Sequence, residues 1–235
     1  MSYPLFVLPV LLPVLFWVCY HLYTDRHLPE PPGHILLAFA LGVVSYYLGM
    51  LMYQALGLVG LRHDAYSLAG SSLAGLFLYS VAVIGVIEES AKLIPFLLIV
   101  LRFREFDEPI DGIIYASFIA LGFSAVENVH YLPYLTGPEA FARGFAGPVL
   151  HIVFSSIWGY YIGRAWLCQR QIGLTLVLAL GCSAFLHGIY DFVAIGLPLT
   201  ALPVAAVLIS GLWIWRLALI RDLHAAPPGR CPPAP

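Results

Sequence analysis

Glu88 and Glu89 stand side by side in LFLYSVAVIGVIEESAKLIPFLLIVL, a stretch otherwise as apolar as a lipid tail. One turn later comes Lys92, the only lysine of the chain. A carboxylate in the middle of a bilayer costs about 2.5–3.5 kcal/mol on insertion scales, so an intramembrane acid points to function. Further along, Glu127 and Asp191 also fall within apolar runs, as do His130, His151 and His187. These residue types suit hydrolysis. A desolvated glutamate activates water, and histidines donate to an oxyanion or protonate a leaving amine. Glu88 or Glu89 is the water-activating base on this reading, and Lys92 holds the charge and orientation of the pair. Glu127, His151 and His187 are equally an adequate zinc set, with water activated by the remaining carboxylate. No HExxH dictates a metal, so metal-free glutamate catalysis and zinc hydrolysis both stay open. No serine sits in a GxSxG context, and Asp191 is the only aspartate well inside a span, which excludes a paired-aspartate mechanism.

The spacing of these residues stacks them on helix faces. Glu88 and Lys92, Phe123 and Glu127, His151 and Ser155, and His187 and Asp191 are all i,i+4 pairs. Glu88 and Lys92 are expected to pair along their helix, which equally fits a structural salt bridge. Glu89 has no such intrahelical partner. Asp191 orients His187, and Asn128 extends the polar face beside Glu127. His130 reads as a packing residue. Gly159 and Gly163 in GYYIG form a small-xxx-small face for close helix approach.

The elements that must carry this chemistry are transmembrane helices. The 235-residue chain is 61% hydrophobic and 10% charged, with apolar runs of transmembrane length along most of it. Lipid cannot satisfy the backbone, so such runs are helical and the fold class is an all-α, polytopic membrane protein. Seven spans are predicted: Pro4–Tyr23, His34–Leu56, Ser71–Leu101, Ile110–Leu135, Ala146–Ala165, Ile172–Ile195 and Leu199–Ile220. They form one domain over residues 1–222, with a catalytic core at about 71–195 and a disordered, proline-rich tail at 223–235. The third span would extend roughly 46 Å against a hydrocarbon core near 30 Å. It must tilt, overrun the interface or break, at Gly85 or Pro95. With the N-terminus outside and the C-terminus inside, eight arginines (Arg26, Arg102, Arg104, Arg164, Arg170, Arg216, Arg221 and Arg230) lie on the cytoplasmic side. Only Arg62 and Arg143 lie outside. In this topology Glu88, Glu127, His151 and His187 all sit about 20–25 Å from the cytoplasmic face, in the outer half of the bilayer. Independent polar groups have no reason to share a depth; one site requires it.

The net charge of −2 and the lack of a basic cluster argue against nucleic acid as a partner. Four scattered cysteines without CxxC spacing give no disulfide framework.

E88-E89-x-x-K92, F123-x-x-x-E127-N128, His151 and H187-G-x-Y-D191, in that order, resemble the PrsW family of intramembrane proteases. That family is related to the CAAX-processing (ABI-type) membrane endopeptidases and, more distantly, to the non-catalytic gamma-secretase scaffold subunit. The resemblance covers about half the chain and implies Glu88, Glu89, Glu127, His151 and His187 as active-site residues. Glu127 stands where the CAAX enzymes carry a histidine, which favours the PrsW branch. The resemblance also implies a single-span membrane substrate of the anti-sigma-factor type, cut near the outer face of a prokaryotic inner membrane. Two rivals are a silent scaffold and a proton-coupled transporter. Retention of both glutamates, Glu127 and both histidines argues against the first, and the lack of an internal repeat against the second.

Overall fold

The computed structural model describes residues 3–24, 29–131, 134 and 137–225. It contains helices α1 (Tyr3–Thr24), α2 (Pro32–Leu58), α3 (Ala65–Ser71), α4 (Leu73–Tyr79), α5 (Gly85–Leu98), α6 (Pro109–Tyr131), α7 (Gly137–Leu167), α8 (Ile172–Gly196) and α9 (Pro198–Ala225). No strand occurs among the described residues. The all-α membrane fold is therefore the fold observed. Among the described residues, five helices (α2, α6, α7, α8 and α9) are long and apolar enough to cross a membrane. The first predicted span falls on α1. The third falls on the rod made of α4, a π turn at Ser80–Ile84, and α5. Its overlength is resolved by breaks. Ser72 is extended, with φ −157° and ψ 103°, and separates α3 from α4. The rod ends at Leu98, with Pro95 inside the last helix rather than at a break. Helix α9 runs on to Ala225, past the predicted start of the tail; residues 226–235, Arg26 and part of the α6–α7 connection lie outside the described residues.

Helix α6 is the axis of the bundle. Ile113, Ile114, Tyr115, Ala116, Ile119, Ala120 and Leu121 are fully enclosed on all its sides, and α2 and α7 flank it. Helices α8 and α9 leave Leu174, Val177, Leu178, Leu202 and Val207 exposed, the face that suits lipid. The close approach expected at Gly159 is present. A Cβ there would lie 2.3 Å from the carbonyl oxygen of Gly112, so the α6 and α7 backbones touch.

Three arginines are not the flanking charges that the sequence suggests. Arg164 and Arg216 are buried within the bundle. Arg216 donates from Nε to Ser156 Oγ (3.1 Å) and from Nη2 to Ser117 Oγ (3.0 Å). Arg143 belongs to the polar cluster described below. A guanidinium on a long stem reaches inward to hydroxyls or a carboxylate as readily as outward to the interface. Cys19 and Cys182 are free, whereas Cys168 is disulfide-bonded, a pairing that spacing along the chain does not reveal.

Candidate active site

Four helices carry the polar residues to one place. The π turn and α5 lie directly on α8: a Cβ on Gly85 would meet the Ala184 carbonyl oxygen at 2.1 Å, and one on Gly188 would meet Ser80 O and Val81 Cα at 2.5 Å. That backbone contact sets His187, beside Gly188, against the glutamate pair. On α7, His151, Ser155 and Trp158 recur at spacings of four and three, one helix face. That face meets α5, while Glu127 enters from α6.

Glu89 is the structural centre of the cluster and is fully buried. Its Oε1 accepts from Lys92 Nζ (2.5 Å) and His187 Nδ1 (2.8 Å). Its Oε2 accepts from Ser155 Oγ (3.1 Å) and Trp158 Nε1 (2.8 Å). The expected pairing of Lys92 with Glu88 is thus corrected: the lysine pairs with Glu89, at i,i+3. Both spacings lie within reach on a helix, and the α7 donors draw Glu89 to the side where Lys92 lies. Lys92 Nζ also lies 3.1 Å from His151 Nδ1 and 4.9 Å from the centre of the Phe123 ring.

Glu127 is a bridge. Its Oε2 accepts from His151 Nε2 (2.8 Å), and its Oε1 lies 3.1 Å from Arg143 Nη2. The Arg143 guanidinium carbon lies over the Tyr131 ring, 4.2 Å from its centre. Glu88 is placed differently. Its Oε2 lies 3.5 Å from His187 Nε2, Asp191 Oδ2 lies 3.6 Å from the same nitrogen, and both oxygens are buried without hydrogen-bond partners. Glu88, Glu127, Asp191 and Arg143 line a cavity of about 540 Å³ walled by Tyr46, Tyr53, Tyr79 and Tyr131, whereas Glu89 lies behind it. The His151 and His187 rings meet edge to face at 5.0 Å.

The predicted residues Glu88, Glu89, Lys92, Glu127, His151, His187 and Asp191 therefore form one connected cluster. Asn128 is buried against Gly147, and its Oδ1 has no hydrogen-bond partner. His130 stacks on Tyr46 at 4.9 Å and lies apart, as a packing residue. Sequence reasoning misses Arg143, which reads as a loop charge, and Trp158. The spacing of Trp158 from His151 and Ser155 is the available signal.

A family model described as "PrsW family intramembrane metalloprotease" matches residues 30–216. The chain belongs to the PrsW family. Among curated relatives, Protease PrsW of Oceanobacillus iheyensis is 33% identical over 146 residues, covering 62% of this chain and 66% of that protein. Protease PrsW of Bacillus subtilis is 31% identical over 182 residues, covering 77% and 78%. That of Geobacillus kaustophilus is 31% identical over 168 residues, covering 72% and 70%. No solved structure matches the chain. Membership makes this an integral membrane protein of an intramembrane protease family, and the family's description implies a metal.

The side chains fit one. Glu88, His151 and His187 each offer a ligand atom, and these atoms lie within 4.8 Å of one another. Each histidine also gives one ring nitrogen to a carboxylate, His187 to Glu89 and His151 to Glu127. Carboxylate–histidine couples of this kind orient metal-binding imidazoles. The Glu88 and Asp191 oxygens, each within 3.6 Å of His187 Nε2, are buried acceptors without hydrogen-bond partners, a want that a cation would meet. The set contains Glu88 where the sequence suggested Glu127, because both Glu127 oxygens are engaged by His151 and Arg143.

Proposed function

We propose that this chain hydrolyses peptide bonds of membrane-anchored polypeptides within the bilayer, with Glu88, His151 and His187 at the scissile bond. The observation that carries this reading is the division of labour between neighbouring glutamates. Glu89 is saturated by four hydrogen bonds, while Glu88 lines the cavity and keeps a buried oxygen without a hydrogen-bond partner beside His187 Nε2. Glu88 takes the proton of the attacking water. His187 keeps Nδ1–H on Glu89 and turns Nε2 to the reacting centre; Asp191 flanks that nitrogen. His151 approaches the same centre from α7, its ring fixed by Glu127. Glu89 and Lys92 hold this arrangement from behind and touch no substrate. Zinc is the other way to activate that water: Glu88, His187 and His151, the last through the Nδ1 that Lys92 now engages, would hold the ion, to which nitrogen and carboxylate ligands are suited, and Asp191 would be the carboxylate left to take the proton. Bound there, zinc supplies Lewis-acid polarisation and a more acidic water.

The walls support a reading of the substrate class. A peptide bond is reached only when its helix is unwound, and an unwound backbone in a membrane needs hydrogen-bonding partners. The hydroxyls of Tyr46, Tyr53, Tyr79 and Tyr131 suit that purpose. The substrate is a single-span membrane protein, of the anti-sigma-factor type that the resemblance implies. The membrane is a prokaryotic inner membrane, in line with the bacterial relatives.

The test is cleavage of a panel of single-span substrates by detergent-purified protein. Wild type is compared with Glu88→Gln and His187→Ala, with and without a zinc chelator. Cleavage that is lost in both variants, lost on chelation and restored by zinc supports the reading. Cleavage indifferent to chelator removes the zinc and keeps the glutamate. Cleavage retained by Glu88→Gln overturns the assignment.

A further inference from the structure

We infer that Arg143 is a positioning residue of this site, acting through Glu127 on His151. The inference rests on the protease reading only for its kinetic arm. The geometry is a relay. Arg143 Nη2 engages Glu127 Oε1 at 3.1 Å, and Glu127 Oε2 accepts from His151 Nε2 at 2.8 Å. Lys92 Nζ lies 3.1 Å from His151 Nδ1 on the far side of the ring. With a cation at Nδ1 and a carboxylate at Nε2, the imidazole is held as its Nε2–H tautomer. Glu127 shares its cavity with two other carboxylates, Glu88 and Asp191, and Arg143 is the cation that contacts it there. Without that cation, Glu127 faces its two acidic neighbours unneutralised and turns away from them, and His151 loses the acceptor that fixes its ring.

The arginine is itself held. Its guanidinium carbon lies over the Tyr131 ring, 4.2 Å from the centroid, and the two groups join the end of α6 to α7, eight residues before His151. A planar fork that stacks and donates at once is a role lysine fills only in part, since its ammonium is a point charge on a flexible stem. Arg143 therefore does not act as a substrate-binding charge. Among the described residues its ion-pair partner is Glu127, and its Nε is buried without a hydrogen-bond partner.

The test uses Arg143→Gln and Arg143→Lys in the full-length protein, with Tyr131→Phe, which keeps the stacking ring, as a control. Side-chain ¹⁵N spectra of histidine-labelled protein, assigned with His151→Asn, report the tautomer without any need for turnover. The expected wild-type spectrum shows His151 as a single Nε2–H species. In Arg143→Gln that species gives way to a mixture, and kcat falls about 10- to 100-fold with KM unchanged, the usual size of losing a carboxylate behind a site histidine. Arg143→Lys recovers part of both signals. An unchanged His151 spectrum in Arg143→Gln overturns the inference, as does a rise in KM at constant kcat, which would make Arg143 a substrate contact. If wild type cuts no substrate but the spectra change as described, the positioning role stands and the protease reading falls.

Discussion

Gly85→Ala puts one methyl where the structure has no room. The new Cβ would lie 2.1 Å from the Ala184 carbonyl oxygen, against about 3.4 Å for ordinary contact, so α5 and α8 must part by about 1.3 Å. The blocking atom is backbone and cannot swing aside. His187 Nδ1 sits 2.8 Å from Glu89 Oε1, and adding that displacement along the helix–helix vector takes the pair to about 4 Å, beyond hydrogen bonding. Overpacking costs about 1–3 kcal/mol, offset by about 1 kcal/mol because alanine is the better helix former. The net loss of stability is modest, about 0–2 kcal/mol. The functional loss is larger, since a misplacement of about 1 Å costs on the order of 100-fold in rate. Thermal unfolding in detergent and cleavage of a single-span substrate separate the two effects. Gly181→Ala on α8, where an added Cβ meets nothing within 4 Å, is the neutral control. If Gly85→Ala cleaved at the wild-type rate, the close helix contact would not be what sets His187 on the glutamates.

The two glutamates should separate in the same assays. Glu88→Gln is expected to unfold like wild type while losing about 10²–10⁴-fold in cleavage, whereas Glu89→Gln strands Lys92 and costs about 3–5 kcal/mol of stability. Equal melting of the two variants would refute their division of roles. Arg216→Met is expected to match or exceed wild type in thermal stability, because a buried cation with hydroxyl partners is replaced by an apolar chain of similar volume. Ser117 and Ser156 keep their bonds to Ile113 O and Ile152 O, and a drop in melting temperature would sink this account. Burial is the main cause raising the Glu30 carboxyl above its ordinary value of 4.5. Its stabilising contribution is full below that value and is lost as pH rises through the raised one. Glu30→Gln should flatten that decline in a pH series of melting curves, and an identical pH dependence in wild type and variant would refute it.

Much of the site was legible because helical geometry leaves little freedom. A rise of about 1.5 Å per residue fixes depth, so Glu88, Glu127, His151 and His187 could be placed in one layer before any packing was known. The order of the motifs did the rest, and the Gly159 contact with Gly112 followed from residue size alone. What stayed hidden was rotation and reach. Whether Lys92 answers Glu88 or Glu89 depends on which helix supplies the other donors, and Ser155 and Trp158 lie 66 and 69 residues away from Glu89 in the chain. Arg143 and Arg216 look like boundary charges in one dimension, yet their long stems carry the charge inward to Glu127 and to two serines.

The π turn at Ser80–Ile84 has a bearing on how this chain tolerates insertions and deletions. Such a turn holds one residue more than the α-helical ladder around it, closed here by the Gly85 N–H on the Ser80 carbonyl. Removing any one of the five residues would let the rod regularise into unbroken α-helix at no cost in backbone hydrogen bonds. The bulge takes up the extra residue by its wider winding, so everything downstream would keep nearly its present face relative to α4. Glu88, Glu89 and Lys92 would keep their neighbours, whereas a deletion in the regular helix of α5 ahead of them would turn them away by about 100°. In this stretch the helix can lose one residue without losing its phase, and a copy shortened there could fold soundly with its chemistry still in place.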